Sequence, residues 1–229
     1  MGKMVDLRLI FVDLPLLISC LHITLLIVIF ATIIGLLLGI VLALVRVYKT
    51  PVFSHLATIY ISFNRGTPMI VQLFIVYFGL PSVLLSIGIN INRWDKLYFV
   101  IITYGLNAAA FMSEIIRASI TSVDIGQTEA SYSVGMTRLQ TFSRIVAPQA
   151  FLTALPNLGT SFLGLLQDTS LAFTIGIIDV MGKAQAIGAT TYHSIEAYIG
   201  AAIIFLVLGT LLEKLFTILE KKVKYKIVA

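Results

Sequence analysis

Two stretches of this chain carry no formal charge, Leu14–Val45 and Gly66–Asn92, taking His22 as neutral. A helix crosses the hydrocarbon core of a bilayer with about 20 apolar residues, because it satisfies its own backbone groups where no water is available. Both stretches exceed that length, and both exceed what a soluble core needs. Charged residues make up only 12% of the chain, against about 25% in an ordinary soluble domain. The expected fold class is therefore all-α, a polytopic transmembrane helical protein.

Five spanning segments are expected. They lie within about residues 16–45, 68–85, 98–113, 148–166 and 197–216. Gly35 and Gly39 in the first have a small-xxx-small spacing that lets another helix approach closely. Pro156, Gly159 and Gly164 make the fourth the least regular. Cys20 is the single cysteine, so no internal disulfide can form. Leu17-Ile18-Ser19-Cys20 faintly resembles a lipoprotein cleavage box, but the apolar run continues past it and Asp6 and Asp13 dilute a positive start. Cys20 reads instead as a small buried thiol inside the first span.

Five spans place the termini on opposite sides. Arg46, Lys49, Arg65, Arg117, Arg138, Arg144, Lys214, Lys221, Lys222, Lys224 and Lys226 fall on the side of the carboxyl terminus; Lys3, Arg8, Arg93, Lys96 and Lys183 fall on the other. The excess of positive charge faces the cytoplasm. The expected orientation is amino terminus outside and carboxyl terminus in the cytoplasm. A net charge of +5 would suggest nucleic acid in a soluble protein. Here it reads as topology, and nucleic acid is not an expected partner. The lysine-rich tail is an inside-facing stop signal, with an anionic membrane-lipid patch as the alternative.

Residues 124–148 form a polar excursion between two spans, on the cytoplasmic side by the charge asymmetry. Asp124 with Gln127 three positions later resembles a capping box, as does Thr137 with Gln140. Gly135 can end the first helix without a Cβ penalty. The loop reads as helix, glycine break, helix. Small residues Ala130, Ser131 and Ser133 would let the first helix lie in a groove of another protein, and Glu129 near its start suits the helix dipole. A helix lying on the membrane is the competing reading, but a broad apolar face and a Lys/Arg face are missing.

Glu129-Ala130-Ser131, three residues, Gly135, nine residues, then Ile145-x-Ala147-Pro148 resembles the "EAA" loop of the membrane subunits of ABC-type importers. The family pattern is Glu-Ala-Ala, three residues, Gly, nine residues, Ile-x-Leu-Pro. Ser131 and Ala147 depart from it, and both are small or apolar. Arg65-Gly66-Thr67-Pro68, Gln72-Leu73-Phe74, Tyr77-Phe78-Gly79-Leu80-Pro81 and Ala110–Ala118 resemble the branch that moves polar amino acids. The resemblance runs from about residue 14 to 220. It implies one transmembrane permease domain over residues 1–229, of the type I importer kind, with residues 124–148 as its coupling loop. Glu129, Ala130, Ser131, Gly135, Ile145 and Pro148 would serve ATPase coupling. It implies a partner ABC-type ATPase that carries ATP and Mg, a second permease subunit (this chain or a paralogue) and an extracytoplasmic amino-acid binding protein. The chain itself has no Gly-x-x-x-x-Gly-Lys-Ser/Thr phosphate loop, and no cofactor is expected on it.

Polar residues inside spans are costly and point to function. They cluster at Asn157, Thr160, Ser161, Gln167, Asp168, Thr169 and Ser170, the candidate substrate pathway. Hydroxyls, amides and one carboxylate could meet both ends of a zwitterion. The competing reading is that each hydroxyl bonds its own helix backbone and Asp168 is solvated at the outer interface. Basic-substrate members of the family can carry Asn-Glu where Thr160-Ser161 stand here. Gln167–Gly176 with Met181–Gln185 looks most like the cystine permeases; glutamine or glutamate permeases are alternatives. An ion-coupled secondary transporter would show inverted repeats and intramembrane carboxylates. An integral-membrane enzyme would show a clustered nucleophile and base or metal-ligand spacing. The chain shows no internal repeat and few candidate buried acids, and neither the nucleophile–base cluster nor the metal-ligand spacing. Trp94 reads as an interfacial anchor, Glu114 and Arg117 as a helical ion pair, and Thr67-Pro68 as the cap and first position of the second span.

Overall fold

The computed structural model describes residues 6–228, with side chains as far as residue 224. Lys3 and the Lys226 side chain, both counted in the charge asymmetry, lie outside the described residues. Among those residues the chain is helical throughout its elements, with no strand. In chain order the helices are α1 (Leu7–Ser19), α2 (Leu21–Val47), α3 (Phe53–Gly66), α4 (Met69–Ser86), α5 (Lys96–Thr121), α6 (Ile125–Ser133), α7 (Arg138–Ile175), α8 (Val180–Thr191) and α9 (Ser194–Val228). Of these, α2, α4, α5 and α9 are each long and apolar enough to cross a bilayer, and α7 with α8, bent by 46°, meets the same criterion as a pair. The five expected segments are thus present with their ends moved.

The first correction concerns Cys20. The helix expected over residues 16–45 breaks there, and Cys20 is half-buried at the junction of α1 and α2 rather than inside a span. The cause is tertiary. The Leu17 side chain of α1 is fully buried in a cluster with Val180 and Ala184 of α8 and Ala197 and Ala201 of α9. Ile27 and Ala31 of α2 belong to a different cluster, with Tyr104, Ala108 and Met112 of α5. One straight helix cannot serve both. At the start of α1 the Asp6 side chain accepts from the Arg8 N–H at 3.0 Å, and the Asp6 N–H donates to Glu196 Oε1 at 2.9 Å.

The tightest seam joins α2 to α5. A Cβ on Gly35 would lie 2.7 Å from Ala108 Cβ, and one on Gly39 would lie 3.2 Å from Met112 Cβ. In lipid, helices associate by van der Waals packing rather than by escape from water, so close backbone approach is what holds them. The small-xxx-small pair therefore packs as expected. Residue numbers rise together along this seam, so α2 and α5 are parallel. Across α7 and α9 they run oppositely: Gly209 faces Leu163 and Gly159 faces Phe216. The ends of α2, α5 and α9 therefore share the end of the bundle that carries α6.

Two helices contain a π turn, Ile75–Gly79 in α4 and Phe142–Val146 in α7. Each precedes a proline, Pro81 and Pro148. A proline ring clashes with the carbonyl four residues back, here Tyr77 and Arg144, and the widened turn absorbs the clash. The fourth segment is not irregular, as its composition suggested: α7 passes through Pro156 unbroken, and the Thr160 hydroxyl donates to the Pro156 carbonyl at 3.3 Å. The break comes later, at Gly176 with φ +83°, and Asp179 then caps α8 by accepting from the Gly182 N–H at 2.8 Å.

The segment assigned to a loop between the first two spans is mostly α3. Arg65 near the end of α3 lies beside Phe111 of α5, its guanidinium 5.8 Å from the ring centroid. Thr67 does not cap α4. Its hydroxyl donates back to the Phe63 carbonyl at 2.8 Å, and Pro68 takes the cap position.

Candidate functional site

The polar excursion folds from local signals. Asp124 Oδ1 accepts from the Gly126 N–H at 2.6 Å and starts α6; the reciprocal Gln127 half of a capping box does not form. At the other end Gly135 takes φ +81°. Its N–H donates to the Tyr132 carbonyl at 3.0 Å, and the Met136 N–H donates to the Ser131 carbonyl at 3.1 Å. This pair of bonds is the Schellman arrangement, which needs a left-handed residue at the glycine position. Thr137 and Gln140 form a complete capping box. The second loop helix is not a separate element: it runs through the π turn into the span as the first turns of α7.

The six candidate coupling residues divide into two sets. Glu129 and Ala130 are exposed on α6 and Gly135 is exposed at its end, whereas Ser131 is buried and Ile145 and Pro148 are half-buried. Ser131 Oγ donates to the Gln127 carbonyl at 2.6 Å. The outward face also carries large apolar side chains: Ile125, Val134 and Leu139 are each about three-quarters exposed. Isolated exposed apolar residues are ordinary, but a cluster at one loop marks a contact surface.

A cavity of about 400 Å³ lies between α5 and α7. Asn157, Thr160, Ser161 and Asp168 line it from α7 together with Gly164 and Leu165. Gln167 is exposed elsewhere; Thr169 and Ser170 turn their hydroxyls onto the Leu166 and Gln167 carbonyls at 2.6 and 2.7 Å. These three do not line the cavity. The opposite wall comes from α5: Asn107, Ala108, Phe111 and Ile115. Tyr104, on the same helix, donates its hydroxyl proton to the Asp168 carbonyl at 2.9 Å and ties the two walls together. Asn107 is a buried amide within the charge-free stretch 98–113, and the rule that picked out the α7 residues applies to it equally.

Behind Asn107 is a polar network. Asn107 Nδ2 donates to Gln72 Oε1 at 3.0 Å, and Gln72 Nε2 donates to the Asn64 carbonyl at 2.8 Å. All three residues are buried. Toward the α6 end, Glu114 accepts from Arg46 of α2 as well as from Arg117, whose Nε lies 3.1 Å from Glu114 Oε1. The expected helical pair is therefore a three-residue cluster that bridges two spans.

Known proteins fit this arrangement over nearly the whole chain. Residues 35–225 match the family described as "Binding-protein-dependent transport system inner membrane component". The L-cystine transport system permease protein TcyL of Bacillus subtilis (strain 168) is 44% identical over 98% of this chain and 94% of its own length. The arginine transport system permease protein ArtQ of the same strain is 38% identical over 93% of this chain and 94% of its own. The crystal structure of an amino acid ABC transporter with histidines superposes with a TM-score of 0.84 at 33% identity, over 96% of this chain and 100% of the other. The MetNI methionine ABC transporter, at 18% identity and a TM-score of 0.68, shares the fold. A membrane-embedded bundle of this topology, with a full-length likeness to amino-acid permeases, places the chain in the binding-protein-dependent transport system inner membrane component family, as a non-catalytic permease subunit of an amino-acid ABC importer.

Proposed function

We propose that the importer carries L-cystine and that α6 is the seat of its ATPase. The observation that carries the substrate is the 44% identity to a cystine permease over 98% of the chain. A second cystine permease of Bacillus subtilis, TcyB, is 37% identical over 91% of the chain. The cavity chemistry agrees. A zwitterion needs acceptors and donors, and Asp168 is the single carboxylate on a wall otherwise supplied with amides and hydroxyls at Asn107, Asn157, Thr160 and Ser161. Another polar amino acid, such as glutamine or glutamate, is the alternative substrate.

The rest of the assembly follows from the same reading. A rigid helix in an ATPase groove transmits closure of the ATPase pair as rocking of the spans around a midplane site. Glu129, Ala130 and Gly135 form the contact; Ser131, Ile145 and Pro148 hold α6 on the first turns of α7. ATP and Mg sit on the ATPase. Asn157 and Thr160 are exposed, so the cavity is open on one side, which suits closure by a second permease subunit, a copy or a paralogue. An extracytoplasmic binding protein delivers the substrate from the end opposite α6. The amino terminus lies outside and the carboxyl terminus inside.

The test is uptake of radiolabelled cystine by a bacterial strain lacking its own cystine importers and expressing the complete transporter. Uptake is expected, with competition by unlabelled cystine and not by other amino acids. Glu129→Lys should abolish it while the permease remains in the membrane. Transport of a different amino acid by the wild type removes the cystine assignment, and normal uptake in Glu129→Lys removes the coupling assignment.

A further inference from the structure

A chain of hydrogen bonds fixes the orientation of the Asn107 amide. It begins at backbone carbonyls, which can only accept. The Thr67 hydroxyl gives its proton to the Phe63 carbonyl at 2.8 Å, so toward Gln72 it is an acceptor. Gln72 Nε2 lies 2.8 Å from that hydroxyl oxygen, 3.1 Å from the Thr67 carbonyl and 2.8 Å from the Asn64 carbonyl. Reversing the Gln72 amide would set its oxygen against two carbonyl oxygens. Its orientation is therefore determined by its partners, as amide assignments should be. Gln72 Oε1 must then face Asn107 and accept from Asn107 Nδ2 at 3.0 Å. Asn107 Nδ2 also approaches the Asn64 carbonyl at 3.4 Å. The Asn107 amide is fixed in turn, and its Oδ1 takes no hydrogen bond among the described residues. Asn107 lies on the cavity wall.

We infer that Asn107 Oδ1 is an acceptor for the primary ammonium of the transported ligand, and that Gln72, outside the cavity, is the positioning residue that aims it there. The inference rests on the reading that this cavity lies on the transport path. Tyr104 stands one helical turn before Asn107 and holds Asp168 through its backbone. Asp168 and Asn107 both line the cavity. Two acceptors, one charged, select a cationic N–H donor. A freely rotating amide could offer either its oxygen or its NH2 group; this one offers only oxygen. The Gln72 and Asn107 amides, anchored on the Asn64 backbone carbonyl, thus form a device of fixed polarity that runs from the α3–α4 junction to the cavity wall.

The test uses the permease–ATPase complex purified in mild detergent without the binding protein, so that only the membrane site is read. Equilibrium binding is measured for cystine and the twenty common amino acids, with the deamino analogue of the tightest binder as competitor. In the wild type the deamino analogue should bind at least tenfold more weakly. Asn107→Leu, which keeps the shape and removes the acceptor, should weaken amino-acid binding by roughly tenfold or more, the scale of a lost hydrogen bond to a charged group. Gln72→Met should weaken binding in the wild-type background and have no further effect in Asn107→Leu, because it acts through that residue. Equal binding of the deamino analogue, unchanged binding in Asn107→Leu, or additive losses in the double variant would each overturn the inference. The wild-type competition does not depend on any variant folding. Absence of amino-acid binding by the complex also overturns it, while cystine uptake by cells tests the transport reading separately.

Discussion

Arg46 at the end of α2 and Glu114 on α5 join the two parallel spans at the end of the bundle that carries α6. Arg117, one turn further along α5, binds the other oxygen of the same carboxylate. The three side chains are each between 21% and 29% exposed, so the cluster is neither buried nor freely solvated. One anion between two cations is asymmetric. Removing Glu114 leaves two guanidinium groups close together and unpaired, whereas removing either arginine leaves one intact pair. Glu114→Gln should therefore lower the unfolding midpoint of the purified complex more than Arg46→Gln or Arg117→Gln. The cost falls between about 1 kcal/mol for an exposed pair and about 3 kcal/mol for a buried one broken on one side. Arg46→Gln added to Glu114→Gln should recover part of the loss. A thermal-shift series on the four variants checks the order.

The seam beside that cluster makes a steric prediction. A methyl on Gly35 would lie 2.7 Å from Ala108 Cβ and 3.3 Å from the Ala108 backbone. The backbone cannot yield as a flexible side chain would, so Gly35→Ala should destabilise the helix pair by about 1–3 kcal/mol, the range for overpacking. Ala108→Gly in the same chain should restore most of it. Gly79→Ala meets nothing within 4 Å at a negative φ and should be neutral. The fraction of monodisperse protein on size exclusion after heating distinguishes the three.

Gly135 makes a prediction about backbone rather than space. Its φ is +81°, and an added Cβ would meet nothing within 4 Å. The penalty for any substitution is then conformational, roughly 1 kcal/mol for alanine and more for a β-branched residue. Asparagine visits the left-handed region more readily. Transport should therefore be highest in the wild type and fall through Gly135→Asn and Gly135→Ala to Gly135→Val. Equal uptake by the Gly135→Asn and Gly135→Val variants would mean that the left-handed turn does not matter to coupling.

The loop around Gly135 was legible because its signals are local. Asp124, Thr137 with Gln140, and Gly135 each act on backbone groups within three or four residues, and each sits where the sequence placed it. The break at Cys20 was not legible. Residues 14–45 are uniformly apolar, and what stops the helix is the docking of Leu17 among residues more than 160 positions away. The π turns before Pro81 and Pro148 and the helix α3 were missed for related reasons: proline suggested interruption where the chain widens its turn instead, and Arg46, Lys49 and Arg65 made a helical segment look like a connection. In the cavity, Asn157, Thr160, Ser161 and Asp168 come together as the sequence suggested. Thr169 and Ser170 spend their hydroxyls on their own backbone, the outcome that polar residues in helices often have. Asn107 stood out less because it is a lone amide on its span, whereas the polar residues of α7 cluster; a cavity wall needs two spans, and sequence does not say which two face each other.

Orientation in the membrane gives the last prediction. Because α9 runs antiparallel to α7, the turn between α8 and α9 lies at the end of the bundle opposite α6. His193 is exposed in that turn, and Val134 is 77% exposed at the end of α6. Cys20 is the only cysteine, so Cys20→Ser gives a chain with no reactive thiol on which single sites can be read. The positive charge at the α6 end, from Arg46, Arg117, Arg138, Arg144 and the lysines of α9, should hold that end in the cytoplasm. In the Cys20→Ser background, His193→Cys should react with a membrane-impermeant maleimide in intact cells. Val134→Cys should react only after permeabilisation. The reverse pattern would invert the topology and remove α6 from reach of any cytoplasmic ATPase, and with it the coupling role of Glu129, Ala130 and Gly135.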